Sequence, residues 1–248
     1  MDTSFEKKYY ELEEGQWWCL TRRELLVSLV ENIPRQSKVL EIGCSAGFLL
    51  KSLKEKGFSS LIGIDVSAQA VALSQEKGLE AYVQDGARPE FPPATFDLIL
   101  ASDVLEHIED DASALHSWFK LLRSGGKLIC FVPAFGFLWS EHDAVNQHKR
   151  RYSLSGLSAV VRKAGFVIEQ KSYWDFFLFP AVAVVRGIQR VLLLLRSRSS
   201  QPKDQFYAFG GGLINSSLIA LLRFENALLL KGVDFFCGVS CFVVARKP

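Results

Sequence analysis

The 248-residue chain lacks the usual marks of metal-cluster, disulfide and nucleic-acid chemistry. Its five cysteines, Cys19, Cys44, Cys130, Cys237 and Cys241, are odd in number and form no Cys-x-x-Cys pair. That argues against a zinc or disulfide framework and for a reducing, cytoplasmic setting. The net charge is only +2, from 29 basic and 27 acidic residues. A protein that binds nucleic acid by counterion release carries a concentrated basic surface, so no nucleic-acid partner is expected. No apolar stretch follows Met1, and no secretory signal is expected. Neither Gly-x-Gly-x-x-Gly nor Tyr-x-x-x-Lys occurs, which disfavours a nicotinamide oxidoreductase.

What is present is an α/β pattern. Short apolar runs predict strands over 38–42, 61–64, 80–83, 97–101, 127–132, 166–171 and 239–245. Between them, helical periodicity predicts helices over 22–31, 48–55, 68–76, 112–122 and 153–164. Ser153 is a natural N-cap for the last of these, and Gly165 a natural stop. Apolar strands alternating with helices imply a mostly parallel sheet covered on both faces. Residues 134–151 are expected to be irregular. The mean hydropathy of +0.14 is high. The excess lies in Phe176–Leu195 and Leu213–Leu230, separated by a basic Ser-rich break (196–201) and the glycines 210–212.

The turn after the first strand is Gly43-Cys44-Ser45-Ala46-Gly47, with Glu41 before it. Glycines admit a sharp turn and a close ligand, and the helix start offers free N–H groups. A carboxylate at Glu41 is awkward for a phosphate but suits an ammonium or sulfonium cation. Asp65, at the end of the second strand, can accept from two ribose hydroxyls. Asp85, in Gln84-Asp85-Gly86-Ala87, can take an exocyclic amine. Ser102, Asp103, Val104 and His107 follow the fourth strand.

In this order and spacing the residues resemble the class I S-adenosylmethionine-dependent methyltransferases, over residues 37–172 and 239–248. The resemblance implies a doubly wound, seven-stranded, Rossmann-like sheet whose last strand is antiparallel, with a helical insertion before that strand. It implies S-adenosylmethionine as cofactor. Its implied site comprises Glu41, Gly43, Cys44, Ser45, Gly47, Asp65, Val66, Asp85, Gly86, Ala87, Ser102, Asp103, Val104 and His107. Ser45 stands where the family most often has glycine.

The segments Phe137–Asp143 and His148–Tyr152, with Trp17-Trp18-Cys-Leu-Thr-Arg22, resemble a bacterial subgroup (methyltransferase types 11, 12 and 23). Trp18 is then expected to cover the cofactor, and Arg22 to reach its carboxylate. His142 is the first candidate for a base, oriented by Asp143 or Glu141, and His148 the second. A more distant resemblance is to the ubiquinone-pathway O-methyltransferases. Some of those bind a metal through Glu-x-x-Glu-His, matched here by Asp103, Glu106 and His107; no metal is expected.

The expected organisation is a lid (1–36), the core, and an insertion (173–238). Arg186 and Arg190, four apart in 176–195, suit a helix lying in a membrane interface with its arginines toward lipid phosphates. The other reading is a helical cap over the substrate pocket. The expected acceptor is a small or lipid-linked molecule methylated on a hydroxyl, by a cytoplasmic enzyme that contacts the inner face of the membrane peripherally. The competing reading is a cofactor-binding or scaffold protein without catalysis.

Overall fold

The computed structural model describes Tyr10 and residues 13–195 and 212–248. The rest of the lid's start, the basic break at 196–201, Gly210, Gly211 and the Arg190 side chain lie outside the described residues. Seven strands form one sheet: β1 (Lys38–Ile42), β2 (Ser60–Asp65), β3 (Glu80–Val83), β4 (Phe96–Ser102), β5 (Leu122–Pro133), β6 (Val167–Trp174) and β7 (Ser240–Arg246). Their order is β3-β2-β1-β4-β5-β7-β6. Pairing is parallel from β3 to β5, and β7 runs antiparallel between β5 and β6. This is the expected fold.

The apolar runs have the expected reason for being continuous. Val39, Leu40 and Ile42 of β1, and Leu98, Ile99 and Leu100 of β4, are buried, as strands covered on both faces must be. The covering helices include α2 (Phe48–Glu55), α3 (Ala68–Glu76), α4 (Asp111–Leu121) and α6 (Leu154–Lys163). Ser67, Asp110 and Ser153 cap α3, α4 and α6, each accepting a backbone N–H. β1 neighbours both β2 and β4, so the chain order reverses there. A crevice opens outside the carboxyl ends of those strands, where ligands bind in such sheets.

Three local expectations need correction. β5 begins at Leu122, five residues before the expected 127 and at the end of the helix expected over 112–122. The first helix, α1 (Trp17–Leu29), begins five residues before the expected Arg22. No side-chain cap starts it; the Trp17 N–H instead donates to Asn215 Oδ1 at 3.0 Å, from a helix nearly two hundred residues away. The stretch expected to be irregular holds a short helix, α5 (Glu141–Val145), closed by a capping box between Ser140 and Asp143.

The insertion contributes α7 (Phe179–Leu195) and α8 (Gly212–Leu230). Pro180 sits in the first turn of α7, where a missing N–H breaks no helical bond. By length and composition α8 is long and apolar enough to cross a membrane. Its inner face nevertheless packs on the core through Leu222, Glu225, Asn226 and Leu229. Glu225 accepts the Phe176 and Phe177 N–H groups. Asn226 accepts from Trp174 Nε1 and donates to the Thr21 carbonyl, both at 2.8 Å. Arg223 grips Glu24 of α1 with two nitrogens. Helix α1 therefore rests on α8 as well as on the core. Outward, Val184, Val185, Ile188, Leu213 and Ile214 are exposed.

Candidate functional site

A cavity of about 870 Å³ fills the crevice at the strand ends. One end is lined by the tips of β1, β2 and β4 and by the segment after β3. Gly43 and Gly47 take positive φ, and each is required by close packing. A Cβ on Gly43 would meet Val104 at 2.4 Å, and one on Gly47 would meet Ser74 Oγ at 2.6 Å. Ser45, with φ of 48°, adopts the left-handed backbone that glycine would take more cheaply. Its N–H donates to Asp65 Oδ2 at 3.0 Å, while its hydroxyl donates to Glu13 Oε2 at 2.7 Å. Asp65 Oδ1 accepts from the Ser67 N–H, and Asp85 accepts from the Ala87 N–H.

Of the residues expected to hold the cofactor, Trp18, Arg22, Glu41, Gly43, Ser45, Asp65, Val66, Asp85, Gly86, Ala87, Ser102, Asp103, Val104 and His107 all border this cavity. Cys44 and Gly47 are not among its lining residues; within the turn they face Ser74 of α3. Cys44 is buried with its sulfur 4.0 Å from Ser74 Oγ.

Carboxylates dominate this end. Glu41 is almost fully buried, and its Oε2 has no hydrogen-bond partner among the described residues. Burial first, then the charges of Glu13 and Asp65, raise its pKa well above the ordinary value. Glu13 is pushed up to about 7, mainly by burial. Glu13 and Tyr10 were missed in sequence because an acidic, polar leader resembles a solvated tail. Tyr10 donates to Ser67 Oγ at 3.3 Å.

Arg22 is held differently from the expectation. Its guanidinium pairs with Asp103, donates to Ser240 Oγ at 2.8 Å, and lies 3.8 Å from the Trp18 ring centre. Trp18 Nε1 donates to Asp175 Oδ2, so α1, the end of β4 and the segment after β6 meet at one point.

The other end is bordered by His142, Asn146 and His148 on and after α5, and by Val182 and Arg186 of α7. Asp143, one of the two residues expected to orient His142, pairs with His148 instead. Its Oδ1 is 2.8 Å from His148 Nδ1 and 2.7 Å from Arg151 Nε. Burial raises the Asp143 pKa, but His148 and Arg151 outweigh it and hold the carboxyl well below its usual range. His107 stands edge-on to His148, with ring centres 4.7 Å apart. Burial and His148 lower the His107 pKa to about 4.

Glu106 is fully buried, and neither carboxyl oxygen has a partner among the described residues. Burial, then Asp103, raises its pKa well above normal. One ligand atom each from Glu106, His107 and His148 lies within 4.8 Å of the others. This set could hold a divalent ion. It differs from the trio matched through the ubiquinone-pathway resemblance: Asp103 pairs with Arg22, and His148 stands with Glu106 and His107.

A family model described as a methyltransferase domain matches residues 9–171. The chain is 32% identical over 198 residues to ubiquinone biosynthesis O-methyltransferase of Paracidovorax citrulli, covering 76% of this chain and 77% of that one. It is 30% identical over 159 residues to phosphoethanolamine N-methyltransferase 1 of Zea mays, covering 59% of this chain and 31% of that protein. The chain thus spans under a third of that maize enzyme. Among solved structures, a Thermotoga maritima S-adenosylmethionine-dependent methyltransferase superposes with a TM-score of 0.58 at 18% identity, covering 98% of both chains. Haemonchus contortus phosphoethanolamine N-methyltransferase 2, solved with phosphomonomethylethanolamine and S-adenosylhomocysteine, gives 0.58 at 18% identity, covering 91% of this chain and 53% of that one. At such identities these two likenesses speak to the fold.

Proposed function

Since the chain belongs to the class I S-adenosylmethionine-dependent methyltransferases, we propose that it methylates a hydroxyl of a small or lipid-linked acceptor, with His148 as general base. The observation that carries this reading is the Asp143–His148 pair bordering the same cavity as Glu41 and Asp65. In the proposed site Glu41 receives the cofactor's ammonium, Asp65 its ribose hydroxyls and Asp85 its adenine amine. The Gly43–Gly47 turn lets the methionine portion approach, bounded by Ser102, Asp103, Val104 and His107. Trp18 closes the top and excludes water. Arg22 reaches the cofactor carboxylate only by sharing its guanidinium with Asp103.

The acceptor oxygen attacks the methyl carbon in line. A C–O bond forms, the C–S bond breaks, and its electron pair stays on sulfur. The hydroxyl proton passes to His148 Nε2, and Asp143 stabilises the resulting imidazolium. Holding both partners in line is worth ~7–11 kcal/mol. His142 is then a wall of the acceptor site, paired with Asn146. The test is a labelled-methyl assay against lipid extract, with mass spectrometry of the product. A methyl found on an amine nitrogen, or a His148→Asn variant at full rate, defeats the reading.

The orphaned Glu106 favours a second reading, in which Glu106, His107 and His148 hold a divalent ion that binds the acceptor oxygen. Treatment with a chelator separates the two. Full activity afterwards supports the His148 base, and loss restored by added metal supports the ion.

The exposed apolar row of α7 supports peripheral contact with the inner face of the membrane through 176–195. Arg186 is not part of that outer row, since it borders the cavity. Co-flotation with liposomes is the test, and a protein that remains wholly soluble and monodisperse counts against the contact.

A further inference from the structure

Helix α7 has two unlike faces. Val182, Arg186 and Gln189, spaced four and three apart, are half-buried, and the first two border the cavity. Ala181, Val184, Val185 and Ile188 face outward and are exposed. Arg186 Nη1 donates to Gln189 Oε1 at 3.2 Å, which steadies the guanidinium from its own helix. The start of α7 is fixed by Phe179, whose ring centre is 5.6 Å from Phe135 and 6.3 Å from Phe137. Phe135 in turn stacks on Tyr173 at 4.9 Å. An arginine is thus built into the wall of the cavity by a segment that is otherwise apolar from Phe176 to Ile188.

The cavity is polar in the electrical sense. Glu13, Glu41, Asp65, Asp85 and Asp103 border the proposed cofactor end, which suits a cation. Arg186, with Lys149, borders the other end. The remaining acids of the wall, Glu109 and Asp110, precede α4, and Asp110 is engaged as the cap of that helix.

We propose that the methyl acceptor is an anionic amphiphile: Arg186 binds its phosphate or carboxylate head, and its apolar part leaves over Phe137 and the outer row of α7. The inference rests on the methyltransferase reading of the cavity. A guanidinium recognises either oxyanion through paired N–H donors, which a lysine cannot reproduce.

The test titrates S-adenosylhomocysteine-loaded protein with dodecyl phosphate, dodecyl maltoside and inorganic phosphate, below micelle formation, by calorimetry. Wild type is expected to bind dodecyl phosphate at least about tenfold more tightly than either other probe. Arg186→Gln is expected to lose about tenfold on dodecyl phosphate and nothing on the maltoside, with Arg186→Lys between. Equal affinity of the two amphiphiles, or an unchanged Arg186→Gln, overturns the proposal. Inorganic phosphate binding as tightly as dodecyl phosphate overturns the amphiphile. Unchanged affinity for S-adenosylhomocysteine in both variants certifies their fold. Failure of wild type to bind S-adenosylhomocysteine would instead strike the cofactor-site reading.

Discussion

The two ends of the cavity are built on different plans. At the proposed cofactor end the tips of β1, β2 and β4, with the segment after β3, supply one or two polar residues each, in chain order: Glu41, Asp65, Asp85, Asp103. The backbone of the sheet fixes their spacing, so the chemistry follows from local sequence. At the proposed acceptor end, His142 and His148 come from around α5, and Arg186 from α7. No sheet register relates these segments; they meet through packing of Phe135, Phe137, Phe179 and Tyr173. On the proposed assignment, recognition of a shared donor falls to the rigid part, and recognition of the acceptor to parts that can vary without disturbing the sheet.

Substitutions at the two ends should therefore separate cleanly. The largest effect is expected for His148→Asn, with kcat falling about 10²–10⁴-fold and cofactor affinity unchanged. His142→Asn should cost less than about tenfold, and equal losses would remove the distinction between them.

Next comes Glu41→Gln. Calorimetry should show S-adenosylmethionine binding weakened by about 2–5 kcal/mol, as for removing one partner of a buried charge pair. Glu41 has a raised pKa, so its contribution to stability is lost as pH rises through that value. The cofactor-free variant should consequently melt no lower than wild type at alkaline pH. A variant that melts much lower would show that Glu41 is structural.

Asn226→Ala should lower stability by about 1–3 kcal/mol, because it strands the Thr21 carbonyl and the Trp174 indole. If cofactor affinity falls with it, the lid belongs to both ends of the cavity. If only stability falls, the lid is a support.

Glu13 gives a pH effect of similar or smaller size. With its pKa raised to about 7, its seat on Ser45 is most favourable below the ordinary 4.5 and is lost as pH rises through about 7. A cationic cofactor should pull that proton off. Calorimetry at about pH 6 in buffers of different ionisation enthalpy should show proton release on binding. Glu13→Gln should reduce it. The smallest effect is Arg223→Ala, an exposed pair with Glu24, worth about 1 kcal/mol or less by thermal melting.

The sequence was most readable where structure is local. β1, α2, α3 and β3 begin and end at the residues their apolar patterns indicate. Most of the cofactor residues inferred from the motif border the cavity. Cys44 and Gly47, in the same turn, face Ser74 instead, a difference that spacing alone does not show. Reading failed where a partner is remote in the chain. The start of α1 depends on Asn215, the orienting of His148 on the fold of the α5 turn, and the diversion of Asp103 on Arg22. Arg186 and Arg190 suggested one lipid-facing pair, but Arg186 borders the cavity while its apolar neighbours face out. Helical spacing shows which residues share a face, and only packing decides which way that face turns.

The place of β7 has a consequence for the order in which the molecule is made. β6 ends at Trp174 and β7 begins at Ser240, yet β7 lies between β5 and β6 and pairs with both. A chain leaving the ribosome has both neighbours ready while the gap between them stands open. At about 5–20 residues per second, the intervening segment delays closure by several seconds. During that interval Phe131 lacks Phe242, its stacking partner in the finished sheet. Arg22 likewise lacks the Ser240 hydroxyl. Until β7 is made, β5 is the open edge of a five-stranded sheet, and β6, whose strand pairing is with β7, has no strand to join. The apolar insertion emerges during that same interval, so a chaperone acting on this chain would find its substrate there.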